Sequence, residues 1–347
     1  MPLPHYSYFE LAIPVVSWQF LVINMKDLRY IAILIAMVMM GMASCEKIIP
    51  FEEIETEPLL VVNGIQKAGS PAWLQIEKSS FYVDSERDFR VKDVCADLYV
   101  NGVFKEALQV KDSLTYEIWE DWETGQTSEV LEKAFTYCEG TYLICEGDVL
   151  RFEVRSSEFE ETAVAEVRVP SAPEVLSFDT VRIEYPENQD FCTVYFTLTI
   201  KDEAGQDYYN IDPQEAMEGF ITNDPVYADL MNLTQIDDLF GGGDYYGYGR
   251  YNPFADTYFD GKEYTISMRV NYYGHEFYEP FTLKVSRVDE ALYQYEKSYA
   301  LYYEYDPESF LGMLTEPVLV YSNVQNGVGV VAAQSLPVTA TVDLTDN

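Results

Sequence analysis

The feature that most constrains the fold is a set of short segments in which apolar and polar residues alternate. Clear examples are residues 94–100, 150–154, 194–200, 264–270 and 281–285, each with apolar side chains at every second position. This period of two is typical of strands that bury one face and expose the other to solvent. Turn residues separate the segments, as expected for hairpins; Asn101-Gly102, for example, precedes a further predicted strand over residues 103–110. We therefore predict a mainly β protein.

The alternating segments fall into two groups. Residues 58–170 predict an N-terminal immunoglobulin-like β-sandwich, because short strands follow one another with turns between them. Residues 171–347 predict a second β-rich domain with one or two inserted helices. One helix is expected to begin after a cap at Asp289 and to reach about Tyr305, since apolar residues recur there at helical spacing.

Residues 25–45 have the organisation of a secretory signal peptide. Lys26 and Arg29 precede the apolar residues 30–42, and small residues lead to Cys45. These 13 apolar residues are too few for a membrane-spanning helix, which needs about 20. The ending Met42-Ala43-Ser44-Cys45 resembles a bacterial lipobox, in which the cysteine is lipidated and becomes the mature N-terminus. We predict residues 1–44 to be the signal peptide and Cys45 to be the lipid attachment site.

The segments on either side of this motif extend the prediction. Residues 45–57 are expected to form an acidic tether, and more than one acyl chain is needed for stable anchoring. Residues 1–24 contain a second apolar stretch, and we interpret them as lying upstream of the true start at Met25. In the alternative, the two apolar stretches together form an inner-membrane anchor. The three charges at Lys26, Asp27 and Arg29 disfavour that alternative.

The charge balance excludes one class of partner. The chain has 59 acidic and 22 basic residues, for a formal net charge of −37. Nucleic-acid binding depends on basic patches that neutralise phosphates, so we predict no nucleic-acid partner. Basic partners and cations would be attracted.

Four cysteines remain besides Cys45, and export would permit disulfides between them. Their spacing matches no zinc motif, and the sequence leaves their pairing open. They are Cys95, Cys138, Cys145 and Cys192.

The known catalytic and cofactor motifs are missing, so we predict no enzyme activity, no catalytic residues and no cofactor. His275 is the one histidine after the leader, and no nucleophile motif accompanies it. Gly327-Val328-Gly329 resembles part of a dinucleotide fingerprint, but the residues that follow predict a strand where that motif needs a helix. We expect these glycines to serve a tight turn or bulge.

Two groups of acidic residues were weighed as calcium ligands. They are Asp202 with Asp207, and Asp237-Asp238 with Asp244. Neither group has the regular spacing of a calcium-binding loop, and runs of acidic residues are usually solvated. We therefore predict no metal site.

Two aromatic stretches are the strongest candidates for a contact surface. Residues 241–251 combine glycine with tyrosine, a composition typical of binding loops. Residues 119–123 place two tryptophans among acidic residues, and we expect them on a loop of the first domain. In the alternative, these aromatic side chains cover their own domain. The predicted ligand or partner contacts are Tyr245, Tyr246, Tyr248, Arg250, Tyr251, Trp119 and Trp122.

Several stretches also occur together in a known family. They are Cys45-Glu46-Lys47, Leu60-Val61-Val62-Asn63-Gly64, residues 147–154, Val169-Pro170, residues 205–209 and residues 321–329. Because these stretches follow one another in this order, the chain resembles the Bacteroidota lipoproteins catalogued as domain of unknown function 4249. The resemblance implies an accessory lipoprotein beside a TonB-dependent outer-membrane transporter. It implies no catalytic residues.

We therefore expect a lipoprotein anchored to the outer membrane, on its periplasmic or cell-surface face. Its expected role is non-catalytic, either as a ligand-binding protein or as the accessory partner of a TonB-dependent transporter. A surface adhesin or structural lipoprotein is the alternative. A hydrolase of glycans or peptides is a third reading, disfavoured by the missing catalytic motifs.

Overall fold

The structure is a computed structural model, and it describes residues 57–80, 88–120, 127–185, 191–213, 222, 224, 226, 253–273, 280–304 and 319–344. These residues are mainly β, as the alternating segments predicted, with a single α-helix among them. The strands are β1 (Leu60–Lys67), β2 (Pro71–Lys78), β3 (Cys95–Val100), β4 (Val103–Ala107), β5 (Gln109–Glu120), β6 (Thr127–Leu143), β7 (Val149–Ser156), β8 (Phe159–Arg168), β9 (Glu174–Glu184), β10 (Phe191–Lys201), β11 (Tyr208–Pro213), β12 (Phe254–Ala255), β13 (Glu263–Tyr273), β14 (Phe281–Val288), β15 (Val331–Gln334) and β16 (Val338–Val342); the helix is α1 (Glu290–Glu304).

The first half of the chain forms two facing layers of strands. A four-stranded sheet has the order β4-β3-β7-β8, and β1, β2 and β6 belong to a larger sheet. One hydrophobic core joins the two layers, with Leu74 and Ile76 from β2 and Leu98 and Phe152 from the smaller sheet. The alternating side chains predicted to point inward at 96, 98, 100, 150, 152 and 154 are buried, and Val94 is partly buried against the same core. This arrangement is of the β-sandwich type.

A second hydrophobic core lies between a three-stranded sheet and another part of the larger sheet. The three-stranded sheet has the order β13-β10-β9, and β11, β14 and β16 form the opposite side. Phe196 on β10 stacks on Phe281 of β14, with ring centroids 4.7 Å apart. The predicted inward residues of β10, β13 and β14 are buried in this core, except Tyr264 of β13, which is partly buried against it.

One nine-stranded sheet contributes a layer to both cores. Its order is β12-β11-β14-β15-β1-β2-β6-β5, and β16 pairs with β14 beside this path. The connection between the two halves is the parallel pairing of β1 with β15, in which Gly64 lies opposite Val331. Residues 56–347 accordingly form one compact unit. The boundary at residue 170 stays a prediction, and the structure adds that the C-terminal β15 returns to the first strand.

Local signals for turns and caps agree with the structure. Asn101 and Gly102 both have positive φ, at 52° and 79°, which suits the tight turn between β3 and β4. Asp289 caps α1, because its carboxylate accepts a hydrogen bond from the backbone N–H of Leu292 at 3.2 Å. The same oxygen accepts from Ala333 N–H at 2.9 Å, so the cap also joins the helix to β15.

Gly329 lies in closely packed backbone just before β15. Gly329 has a φ of 115°, and a Cβ atom there would lie 2.3 Å from the carbonyl oxygen of Val62. The chain then continues as strand β15, where a dinucleotide fingerprint needs a helix.

One expected strand is divided in two. The sequence predicted a single strand over residues 103–110, but β4 ends at Ala107 and β5 begins at Gln109 in a different sheet. Leu108 lies between β4 and β5, and its side chain is buried in the first core, which fixes the position of the chain between the two sheets.

In the described part of the chain, no helix is both long enough and apolar enough to span a membrane.

Candidate functional site

Most of the predicted contact residues lie outside the described residues. This holds for Cys45, for Trp122, for the predicted contacts of the Gly/Tyr loop at Tyr245, Tyr246, Tyr248, Arg250 and Tyr251, and for His275 and the acidic group Asp237, Asp238 and Asp244.

Trp119 is described, and it lies in a strand. It belongs to β5, where it pairs with Ser128 of β6. The expectation that Trp119 sits on a loop is therefore wrong, because the β5–β6 ladder continues as far as Glu120 and Thr127. Trp122 belongs by sequence to the connection between these two strands.

The outer parts of β5 and β6 form what we call the hairpin arm, residues 115–120 and 127–133. Strand β2 pairs with β6 from Leu143 to Thr136, and an isolated bridge joins Asp88 to Ala134. Beyond that point, β6 pairs only with β5 among the described strands. Among the described strands, the hairpin arm is thus a two-stranded ribbon that continues beyond the pairing of β6 with β2.

The hairpin arm and its base expose apolar side chains. Strand β5 lies at one edge of the nine-stranded sheet, and edge strands offer unpaired backbone groups to other chains. Tyr116 is 53% exposed on the arm, and Leu114 is 47% exposed at its base. Between residues 115 and 133 the sequence has six acidic residues against one lysine, so the aromatic residues lie in a strongly negative segment.

A second feature is a cluster of carboxylates where two turns meet. Asp202 follows β10, while Asp256 and Asp260 follow β12, and oxygens of all three lie within 4.8 Å of one another. Asp202 and Asp256 are buried, and Asp260 is exposed. By sequence proximity, Asp202 was expected to pair with Asp207. The other two were missed because more than 50 residues separate them from Asp202.

Backbone donors hold each carboxylate across the two turns. Gly261 N–H donates to Asp202 at 2.8 Å, Asp207 N–H donates to Asp256 at 2.9 Å, and Gly205 N–H donates to Asp260 at 2.9 Å. These bonds fasten the β10–β11 turn to the β12–β13 turn. They account for the position of the acids without a bound ion.

In this acidic cluster, burial disfavours the charged form of Asp256, whereas Asp202 is linked to the buried Arg287 through Tyr209. Burial, together with the neighbouring carboxylates, raises the pKa of Asp256 to about 6. The hydroxyl of Tyr209 donates to Asp202, and the buried Arg287 donates from Nε to that hydroxyl at 3.3 Å. Arg287 also donates to Ser171 Oγ at 3.0 Å and lies 3.7 Å from a carboxylate oxygen of Asp207.

The chemistry open to the acidic cluster is limited. Carboxylate oxygens at this separation can bind a hard cation such as calcium, or share a proton. Both oxygens of Asp202 already accept hydrogen bonds, from Tyr209 and Gly261. A structural role in joining two turns therefore explains the geometry fully.

The four described cysteines are free thiols, so none of the possible disulfides is formed. Cys138 is fully buried, and burial raises the pKa of its thiol to about 12. A thiol of this kind is unreactive at neutral pH.

Comparison with known proteins gives the family. No curated protein matches the chain. Among solved structures, the chain is similar to the crystal structure of Rst D1-D2 at 8% sequence identity, with 68% of this chain and 91% of that chain covered. The TM-score is 0.16, too low to support any conclusion. The family model for the domain of unknown function DUF4249 matches residues 46–336. The chain therefore belongs to the DUF4249 family.

Proposed function

We propose that the protein is a lipoprotein of the outer membrane, anchored through Cys45, that acts as a non-catalytic accessory partner of a TonB-dependent transporter. The lipobox-like ending at Cys45 supports the anchor, and the acidic residues 45–57 supply a tether. The family resemblance to Bacteroidota lipoproteins supports the transporter.

The observation that carries the proposal is the hairpin arm. The ribbon continues beyond the pairing of β6 with β2, and β5 lies at the edge of the sheet formed by the described strands, where it can pair with another chain. Exposed Tyr116 and Leu114 supply apolar contact area, and tyrosine is enriched at protein interfaces. The hairpin arm thus has both the backbone and the side-chain chemistry of a docking element.

The charge of the hairpin arm selects the kind of partner. Residues 115–133, which contain the hairpin arm and the connection between its strands, have six acidic residues and one lysine, so this segment repels anionic lipid surfaces and favours a basic protein surface. Complementary charge of this kind increases the association rate and makes it sensitive to salt. We expect a basic loop or rim of the transporter to receive the hairpin arm.

Site-specific photocrosslinking in intact cells tests this assignment. A photoreactive amino acid replaces Tyr116 on the hairpin arm, and in a matched control it replaces Leu176, which is 43% exposed on β9. The expected result is a crosslink from position 116, but not from position 176, to an outer-membrane transporter. Equal crosslinking from both positions, or none to a transporter, contradicts the role of the hairpin arm and favours an adhesin or structural lipoprotein.

A further inference from the structure

A polar cleft lies at the junction of β1, β14 and β15, away from the hairpin arm. Its volume is about 380 Å³, within the range of roughly 300–1,000 Å³ found for small-molecule sites. Lys67, at the end of β1, and Lys284, on β14, both line it. In a chain with 59 acidic and 22 basic residues, two lysines in one cleft make a local exception to the negative charge.

The position of each lysine follows from the strand pairing. Lys67 is the last residue of β1, lies opposite Gln334 in the parallel ladder, and is exposed. It forms no ion pair with any of the described residues. Lys284 lies opposite Asp212 of β11, and this carboxylate also lines the cleft. The lining charges are therefore two positive and one negative.

The remaining polar groups are hydroxyls and an amide. Ser286 of β14 and Gln334 of β15 are joined by a hydrogen bond, from Nε2 of Gln334 to the hydroxyl oxygen of Ser286, at 2.6 Å. That bond leaves the Ser286 hydroxyl proton available to an acceptor. Ser70, in the turn after β1, adds a further hydroxyl to the lining.

These groups define the ligand by its chemistry. We propose that the cleft binds a small hydroxylated oxyanion, whose carboxylate or phosphate group contacts the ammonium of Lys67 and whose hydroxyls bond to Ser70 and Ser286. A cation would meet two ammonium groups, and an apolar ligand would leave the charged and hydroxyl groups of the lining without partners. Since the whole molecule carries a charge of −37, non-specific attraction of anions is disfavoured, and measurable binding indicates a built site. The proposal is independent of the transporter partner.

Isothermal titration calorimetry on the full chain in detergent tests the proposal, with glucuronate, inorganic phosphate and glucose as probes at low salt. We expect at least one of the two anions to bind, and glucose to bind at least about tenfold more weakly. Binding of glucuronate alone identifies a carboxylate as the anchoring group, and binding of phosphate alone identifies a phosphate. Absence of binding by both anions overturns the proposal.

Charge variants locate the binding. Lys67→Gln is expected to weaken anion binding about tenfold, since a hydrogen bond to a charged group is lost. Lys92→Gln is the matched control, because its side chain is 81% exposed at a turn and it is not among the lining residues. Leu336→Glu adds a negative charge at the exposed rim of the cleft and should weaken the binding of anions without affecting the binding of glucose. If Lys67→Gln binds as wild type does, or if Lys92→Gln loses as much affinity, the proposal is wrong.

Discussion

Replacing Asp256 by asparagine is expected to stabilise the folded protein at alkaline pH. Asp256 is 3% exposed beside Asp202 and Asp260, and its pKa is raised from an ordinary value of 3.8 to about 6, mainly by burial. The folded protein holds this proton more tightly than the unfolded chain does. The stabilisation of the folded state by protonated Asp256 is therefore fully present below about pH 4. It is lost as the pH rises through 6.

The size of the effect follows from the shift. Each pKa unit corresponds to about 1.4 kcal/mol, so the charged form carries a penalty of up to about 3 kcal/mol above pH 6. Asparagine removes the charge and keeps an oxygen for the N–H of Asp207, which donates at 2.9 Å. We expect Asp256→Asn to be more stable than wild type by about 1–3 kcal/mol at pH 8, with the difference vanishing near pH 4.

Urea unfolding followed by intrinsic fluorescence, from pH 4 to pH 8 in the presence of a chelator, measures this difference. Asp179→Asn is the control, since it removes an exposed carboxylate on β9 and should change the free energy of unfolding by less than about 0.5 kcal/mol. The reasoning is refuted if Asp256→Asn is less stable than wild type at pH 8. It is equally refuted if the difference does not depend on pH.

Two further substitutions test the framework around β15. Asp289→Ala should lower the free energy of unfolding by about 2–4 kcal/mol, because the N–H groups of Leu292 and Ala333 lose their acceptor; Asp289→Asn keeps that acceptor and should cost less than half as much. Chemical denaturation of both variants measures the free energies of unfolding, and equal losses of stability would contradict the capping role. Gly329→Ala should cost at least about 2 kcal/mol, from its φ of 115° and the contact with Val62, whereas Gly102→Ala, with open space around it, should cost about 1 kcal/mol. Thermal unfolding of the two alanine variants compares these costs, and a smaller loss at position 329 than at position 102 would contradict the close-packing argument.

The parts of the fold that local sequence determines were predicted well. The inward residues of β3, β7, β10 and β14 were correct because each strand buries one face, which imposes a period of two. The cap at Asp289 and the turn at Asn101-Gly102 were correct because both depend on side chains within a few residues.

Other parts depend on contacts that no local pattern records. The parallel pairing of β1 with β15 places Gly64 opposite Val331, and just before it Val330 N–H donates to Oδ1 of Asn63, 267 positions away. The pairing of β5 with β6 was missed although apolar residues alternate at 114, 116 and 118, because the pattern of one strand does not show which strand pairs with it. The acidic cluster was also missed because its members come from two turns that are far apart in the chain.

The anchored partnership is tested most directly by recovering the full-length protein from detergent-solubilised membranes through a C-terminal tag. We expect lipid on Cys45 by intact mass, and a large TonB-dependent transporter recovered in near-equal amount. Cys45→Ala should abolish the lipid and move the protein out of the membrane fraction. Recovery of the protein without lipid, or of the lipidated protein alone under conditions in which known lipoprotein–transporter pairs survive, would contradict the account.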